Sequence, residues 1–322
     1  MRFSVIIPVY NRPEELQNLL ESLCLQTFSD FEVVVIEDGS EHPSEAIVRG
    51  FYDRINVNYH FQENTGQGFA RNKGIELAKG DYFVFFDSDC VIPADYFKIL
   101  NAVLETKKLD AHGGPDDAGE SFSPWQKAMN FSMTSFLTTG GIRGKMKNPA
   151  KYQARGYNMG FSREVYQRVG GFIHPNMAED IELSIRIKKA GFRLELVSEA
   201  FVYHHRKNDF LSFIRQSHQF GRNRVFITKF HKDALKLVHL LPVVFLIGLL
   251  LLPFALFIYA PLGAAIAVGY FLWTVAVLLS AAGSIQSRFL AVLTSYGQLI
   301  AYGTGVLREG HSSLLGLLGG KK

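Results

Sequence analysis

Two aspartates flank a serine in Asp87-Ser88-Asp89, directly after the apolar run Tyr82-Phe83-Val84-Phe85-Phe86. Such a run is a buried parallel strand, so the triplet puts two carboxylates at a strand's carboxyl end, where open α/β sheets bind ligands. Carboxylates that close repel unless a cation joins them. A hard divalent ion, Mg²⁺ or Mn²⁺, takes carboxylate oxygens together with substrate phosphates, which makes a diphosphate-bearing substrate the natural third party. A second acidic pair, Glu179-Asp180, opens the helical pattern of Ile181, Ser184, Ile185 and Lys188. Acids favour first turns because they oppose the helix dipole, yet metal-assisted group transfer also needs a carboxylate base for the incoming hydroxyl, and this pair is the candidate. His204 closes the strand-like Phe201-Val202-Tyr203-His204, where alternation lets only one of His204 and His205 face a metal beside Asp89. Each piece alone has a plain alternative: a solvated acidic turn, a helix-capping pair, a surface histidine.

Strand and helix patterns alternate over the first hundred residues, predicting an α/β sheet with mostly parallel strands. Strands are expected at Phe3–Pro8, Phe31–Ile36, Val57–Phe61 and Tyr82–Phe86, with helices over Pro13–Gln26 and Gly68–Ala78. Three strand ends then deliver Tyr10-Asn11, Asp38 and Asp87/Asp89 to one rim, the convergence a ligand crevice requires. The loop Asn64 to Asn72 contains Gly66-x-Gly68 but fails the dinucleotide fingerprint, because Arg71 stands where the third small residue belongs and the loop follows a middle strand. Its glycines permit close backbone approach, and Arg71 is a planar fork for phosphate or carboxylate. A nucleotidyltransferase would want a glycine- and lysine-rich loop after the first strand, which Tyr10-Asn11-Arg12-Pro13 is not.

Taken in order, Val5-Ile6-Ile7-Pro8-Val9-Tyr10-Asn11-Arg12, Glu37-Asp38-Gly39-Ser40, Ala70-Arg71-Asn72-Lys73-Gly74, Phe86-Asp87-Ser88-Asp89 and Gly170-Gly171-Phe172 with Ala178-Glu179-Asp180 resemble the family 2 glycosyltransferases over roughly residues 3 to 224. The resemblance implies a GT-A fold and inverting transfer. It implies that Pro8, Val9, Tyr10 and Asn11 line a nucleobase pocket and that Asp38 contacts base or ribose. Gly66, Arg71, Asp87 and Ser88 then fall on the donor, Asp89 with Asp87 holds the divalent metal, His204 completes its shell, and Asp180 is the base. Glu37 departs from the more usual Asp beside Asp38. The Gln-x-x-Arg-Trp signature of processive synthases is absent, with only Gln216 to Arg222 as a loose echo. A single-sugar transferase is therefore expected over a processive polysaccharide synthase or a non-enzymatic nucleotide-sugar-binding protein.

The 322 residues exceed one ordinary domain. From Leu237 to Ser287 no Asp, Glu, Lys or Arg occurs over 51 residues, about 77 Å of helix against a hydrocarbon core of roughly 30 Å. Spans are expected near 237–259 and 262–284, turning at Tyr259 to Gly263, with a possible third at 289–307. Lys229, Lys232 and Lys236 before the first and Arg288 after the second read as cytoplasmic flanks, and a third crossing would export Arg308, Lys321 and Lys322. The start, Met1 to Pro8, is too short an apolar run for a signal peptide and reads as a strand. The expected organisation is a GT-A catalytic domain over 1–208, an interfacial amphipathic helix over 209–236 and a membrane region over 237–322, with the catalytic domain on the cytoplasmic face of the cell (inner) membrane. Cys24 and Cys90 are expected as reduced thiols. A net charge of +4 clustered at the membrane entry suits anionic lipid rather than nucleic acid. The expected partners are a nucleotide-sugar donor, membrane lipid and a glycan or lipid-linked acceptor, and Ser123 to Leu137 reads equally as the lining of an acceptor groove or as a packed accessory helix.

Overall fold

Strand β2 (Phe31–Asp38) has every residue buried, including Glu32, Glu37 and Asp38, and the first two show how a central strand tolerates polarity: each draws donors from neighbours, although Glu32 Oε2 has no hydrogen-bond partner among the described residues. Glu32 accepts from Ser4 Oγ at 2.7 Å and from the Lys79 amide at 2.6 Å. Glu37 accepts from the Ser40 hydroxyl and, at 2.7 Å, from the Ser44 amide, holding the turn after the strand. The computed structural model describes residues 2–117, 123–140, 148–204 and 209–319. The chain forms two units, one of residues 1–119 with 145–205, the other of 120–144 with 206–322.

The first unit is an α/β layer structure. Strands β1 (Phe3–Val9), β2, β3 (Val57–Gln62) and β4 (Tyr82–Phe86) alternate with helices α1 (Pro13–Cys24), α2 (Glu45–Arg49) and α3 (Gln67–Leu77). They lie parallel in the order β3-β2-β1-β4, as crossover connections dictate. Beyond β5 (Cys90–Val91), α4 (Tyr96–Lys107), β6 (Ala111–Gly113) and β7 (Asp116–Asp117), the chain leaves this unit for two helices described below, α5 (Pro124–Thr134) and α6 (Phe136–Thr139). It returns with β8 (Asn158–Ser162), α7 (Arg163–Val169), α8 (Glu179–Lys189), β9 (Leu194–Leu196) and β10 (Val202–His204). Strand β8 inserts antiparallel between β4 and β6, and β9 closes the seven-stranded sheet parallel to β6. A small sheet, β5-β10-β7, sits after the acidic triplet. Apolar clusters cover both faces of the main sheet, one around Val5, Leu16, Val33 and Phe97, the other around Ile6, Phe85, Phe161 and Leu183. Between β4, α4 and β8, His112 is fully buried with Tyr82 and Tyr96 hydroxyls on its two ring nitrogens at 2.9 and 3.1 Å. Burial alone pushes this imidazole down to about 3, so it stays neutral and the knot is uncharged.

The second unit is helical: α5, α6, α9 (Phe210–Phe226), α10 (Leu241–Ile258), α11 (Ala260–Ser280) and α12 (Ile285–Gly319). Three of these helices are long and apolar enough to cross a membrane, starting at Leu237, Ala260 and Ile285. The hairpin turn is tighter than expected. Only Tyr259 separates α10 from α11, and Pro261 lies inside the first turn of α11, where its missing amide is no loss. Helices α9 and α12 run parallel in close contact: a Cβ on Gly221 would meet the Tyr302 carbonyl at 2.1 Å, and one on Gly305 the His218 carbonyl at 2.1 Å. Part of the apolar side of α9 faces its own unit. Phe213 is buried with Met129 and Met133 of α5, flanked by Phe210, Ile214 and Phe220. Residues 124–134 form a packed helix, one of the two readings of this stretch: Ser132 Oγ of α5 bonds Thr294 and Ser295 of α12 at 2.7 and 3.1 Å. The segment 120–144 thus folds with the C-terminal helices although the sequence reading put it in the catalytic domain.

Helix α12 meets the hairpin only at its root. Tyr296 packs on Trp273 of α11 and Phe245 of α10, and seven residues on, Gly303 lies against Pro242 and Leu246. Over those seven residues, about 10 Å of helix, α12 stays against α10, while Leu290 and Ala291 before them pack with Ala281 at the end of α11. The far half of the hairpin, Leu250, Phe254, Phe257 and Phe271 among others, is exposed.

Candidate active site

The acidic triplet turns tightly off β4, with the Cys90 amide donating to the Asp87 carbonyl at 3.1 Å. Asp89 accepts from Arg12 Nη1 at 2.6 Å and Asp87 from Arg71 Nη2 at 2.7 Å, so each carboxylate already faces a cation. Ser88 is buried, 4% exposed. At the end of β1, Asn11 adopts a left-handed φ of 53°, a conformation asparagine tolerates. Its side chain accepts from the Glu41 and His42 amides while its own amide donates to Ser40, stapling the ends of β1 and β2 together. Tyr10 beside it is 50% exposed, an aromatic surface on the rim. Pro8 is half-buried. Val9 is a correction: its side chain is 1% exposed in the core, leaving only backbone to meet a ligand.

Asp38 engages the loop that follows β3. Its Oδ1 accepts from Gln62 Nε2 and the Thr65 amide at 2.7 and 2.9 Å, and its Oδ2 from the Gly66 amide at 2.8 Å. Those bonds set the start of α3. Gly66 has a φ of 91°, and a Cβ there would meet Pro175 at 2.6 Å, while one on Gly68 would meet the His174 carbonyl at 2.2 Å. The close approach that these glycines permit is made to residues 174–176, to side chains at Gly66 and to backbone at Gly68. Gly68 N–H donates to the Pro175 carbonyl at 2.7 Å, and Asn72 pairs reciprocally with the Phe172 backbone at 2.7 and 2.8 Å.

Arg71 is the second correction. It is 1% exposed, and a donor-facing fork would need an open face. One arm reaches Asp87, the other Glu179 Oε1 at 3.1 Å, and a Cβ on Gly156 would strike the guanidinium at 2.6 Å. A single buried guanidinium therefore ties the end of β4 to the start of α8. Gln67, one turn before Arg71 on α3, donates to the same Glu179 oxygen. Burial first, and the charge of Asp180 second, push the Glu179 carboxyl up to about 7 against the pull of Arg71. The half-buried Asp180 is held by amides: Oδ1 by its neighbour Ile181 at 2.7 Å and Oδ2 by Gly156 at 3.2 Å. Ala178 before it has a φ of 52°, a strained turn for a residue with a Cβ that starts α8 with both acids directed inward.

Asp87, Asp89 and Asp180 are thus gathered at one rim, with Gly156 and Arg71 between the strand end and the helix. Among the described residues no three His, Cys, Asp or Glu side chains form a metal cage. The donor set suits Mg²⁺ or Mn²⁺ nonetheless: such ions use one or two carboxylates and complete their shell with substrate phosphates and water. The His204 side chain lies outside the described residues. Its backbone pairs with Cys90 in the small sheet, one residue past Asp89. Gln67 and Gly156 were not singled out from sequence, and Glu179 was read only as the partner of Asp180; the one available signal for Gln67 was its i, i+4 spacing from Arg71 on a single helix face.

A mostly parallel sheet delivering acids to one rim, opposite a second acidic pair at a helix start, defines a GT-A glycosyltransferase, here followed by three apolar C-terminal helices. Residues 4–170 match the model of Glycosyl transferase family 2, and the chain belongs to that family. It is 25% identical over 258 residues to the glycosyltransferase AglE of Haloferax volcanii, covering 77% of this chain and 81% of AglE. It is 38% identical over 106 residues to the uncharacterized glycosyltransferase YibD of Escherichia coli, covering 32% of this chain and 31% of YibD. The chain thus spans under a third of YibD, and 14% of the glycosyltransferase GlyA of Streptococcus pneumoniae. Among solved structures, the mannosyltransferase PcManGT of Pyrobaculum calidifontis, in complex with GDP-Man and Mn²⁺, superposes with a TM-score of 0.69 at 21% identity, over 95% of this chain and 87% of that one. Residues 1–349 of S. aureus TarS give 0.51 at 19% identity, over 96% and 92%. At such identities the likeness is one of fold.

Proposed function

We propose that the chain transfers a single sugar, with inversion, from a nucleotide-diphosphate sugar to a hydroxyl of a glycan or lipid-linked glycan at the cytoplasmic face of the cell membrane. The observation that carries the reading is the shared guanidinium of Arg71, which links Asp87 to Glu179 and so sets Asp180 across the rim from the acidic triplet. Asp180, oriented by the Gly156 and Ile181 amides, takes the proton of the acceptor hydroxyl as it attacks the anomeric carbon. The bond to the diphosphate oxygen breaks on the opposite face, and one displacement inverts the centre. Tyr10 offers its exposed ring to the nucleobase, and Asp38 fixes the loop beneath it. Asp87 and Asp89 would hold a divalent cation, which when bound supplies positive charge to the leaving diphosphate. That neighbours are described with GDP-Man and Mn²⁺ supports a nucleotide sugar and a divalent ion here.

The test is a screen of detergent-solubilised protein against nucleotide sugars, reading released nucleoside diphosphate with and without Mg²⁺ or Mn²⁺. Transfer is expected to depend on the metal. Asp180→Asn and Asp89→Ala are each expected to lower the rate on the order of a thousandfold or more while the protein stays folded. Wild-type rates in either variant sink the assignment.

A further inference from the structure

Helices α9 and α12 enclose a groove of about 590 Å³ whose walls change character along its length. At the amino-terminal end of α9 it is apolar, lined by Phe210 and Ile214 on one side and by Ile300, midway along α12, on the other. Toward the carboxyl end the lining becomes His218, Arg222 and Arg308, with Arg215 midway. The parallel packing produces this gradient, because residues about 87 apart in sequence stay side by side, as in the Arg222–Glu309 pair at 3.1 Å. Glu309 is fully engaged, since it also accepts from Lys229 at 3.0 Å. It thereby neutralises Arg222. Arg215 and Arg308 are exposed and make no ion pair or hydrogen bond with the described residues, and although the Asp209 carboxyl feels the charge of Arg215, both cations line one apolar trough.

The groove also lies at a defined level of its unit. The uncharged hairpin enters the bilayer from its root, and α12 packs on the hairpin at Tyr296 and Gly303, beside the groove. A trough there opens at headgroup depth. We propose that it seats an anionic phospholipid, with the phosphate on Arg215 and Arg308 and an acyl chain along Phe210, Ile214 and Ile300. The occupant's chemistry follows from the lining: arginine forks match phosphate oxygens, the apolar half needs a hydrocarbon partner, and two free positive charges favour a headgroup of net negative charge over a zwitterionic one. The lipid would fix α12 along the membrane surface.

The test uses the full chain in mild detergent, without sugar donor, so it stands whether or not the transfer reading survives. Native mass spectrometry during titration with phosphatidylglycerol or phosphatidylcholine reads retained lipid. The wild type is expected to hold one phosphatidylglycerol at least tenfold more tightly than phosphatidylcholine. The double variant Arg215→Ala/Arg308→Ala is expected to lose that preference, and Arg215→Lys/Arg308→Lys to keep most of it, with all three showing the same circular dichroism and elution volume. Equal preference in the alanine variant overturns the site, as does a wild type that does not discriminate. Displacement of the lipid by inorganic phosphate at equal concentration would mark a site for the free anion and overturn it too.

Discussion

Arg71 shows how a residue's type is legible while its duty is not. A planar fork beside a glycine loop pointed to phosphate or carboxylate, and the structure makes it carboxylate twice over, inside the protein. Nothing in local spacing tells a buried arginine from an exposed one; that depends on Gly156 and Phe172, which approach from far along the chain. A physical consequence can be measured. Arg71→Met leaves Asp87 and Glu179 facing each other without their cation, at a cost of roughly 3–5 kcal/mol. Thermal unfolding in detergent is expected to shift several degrees lower. Adding Glu179→Gln removes the buried charge while an amide still faces Gln67, so the double variant is expected to recover most of the loss. A single variant as stable as wild type, or a double no better than the single, would show that the ion pairs are not what joins β4 to α8. The acids themselves were easier to find, because Asp87, Asp89 and Asp180 sit at element ends that periodicity alone locates, and the fold does bring them to one rim.

Among the elements, β1, β2 and β4 were legible almost to the residue, since strands buried on both faces read as nearly unbroken apolar runs, whereas β3 lies at the sheet edge with only Val57 buried. β8 was not. Asn158-Met159-Gly160-Phe161-Ser162 is short and polar at its ends, and it is a strand because β4 and β6 flank it, a tertiary cause invisible locally. The same holds for α12, whose composition satisfies a membrane span while its packing gives it another use. Thr294 and Ser295 are fully buried against Ser132, and polar groups of that kind belong to a protein-facing surface. If α12 lies across the hairpin root, its end stays on the side from which α10 enters. In a Cys24→Ser background, where Cys90 is buried, single cysteines replacing Lys232 and Ser312 are expected to react with an impermeant maleimide from the same side of sealed vesicles. A cysteine replacing Phe257 near the hairpin tip is expected to react only from the other. Labelling of position 312 from the tip's side would make α12 a third crossing.

At the scale of the molecule the chain passes between its two units three times, near 119, 144 and 205. The division expected from sequence, with everything before 209 catalytic, assumed that units are contiguous in sequence. An excursion as short as residues 120–144 has too little charge contrast to announce its destination. The consequence concerns any attempt to free the catalytic unit. Truncation after residue 208 removes α9 and α12 but keeps α5, whose Ala128, Met129 and Met133 are buried against those helices. That helix would then carry an apolar face with nothing to cover it, the kind of patch that drives association. The chain 1–208 is accordingly expected to need detergent and to bind a hydrophobic dye, although no membrane helix remains in it. The triple substitution Ala128→Ser/Met129→Gln/Met133→Gln in the same truncated chain is expected to restore a monodisperse species in plain buffer and to abolish dye binding. It leaves α/β packing untouched, because none of the three belongs to the sheet's two apolar clusters. Were chain 1–208 monodisperse and dye-free without these changes, α5 would have to find cover within the first unit, and the assignment of 120–144 to the helical unit would fall.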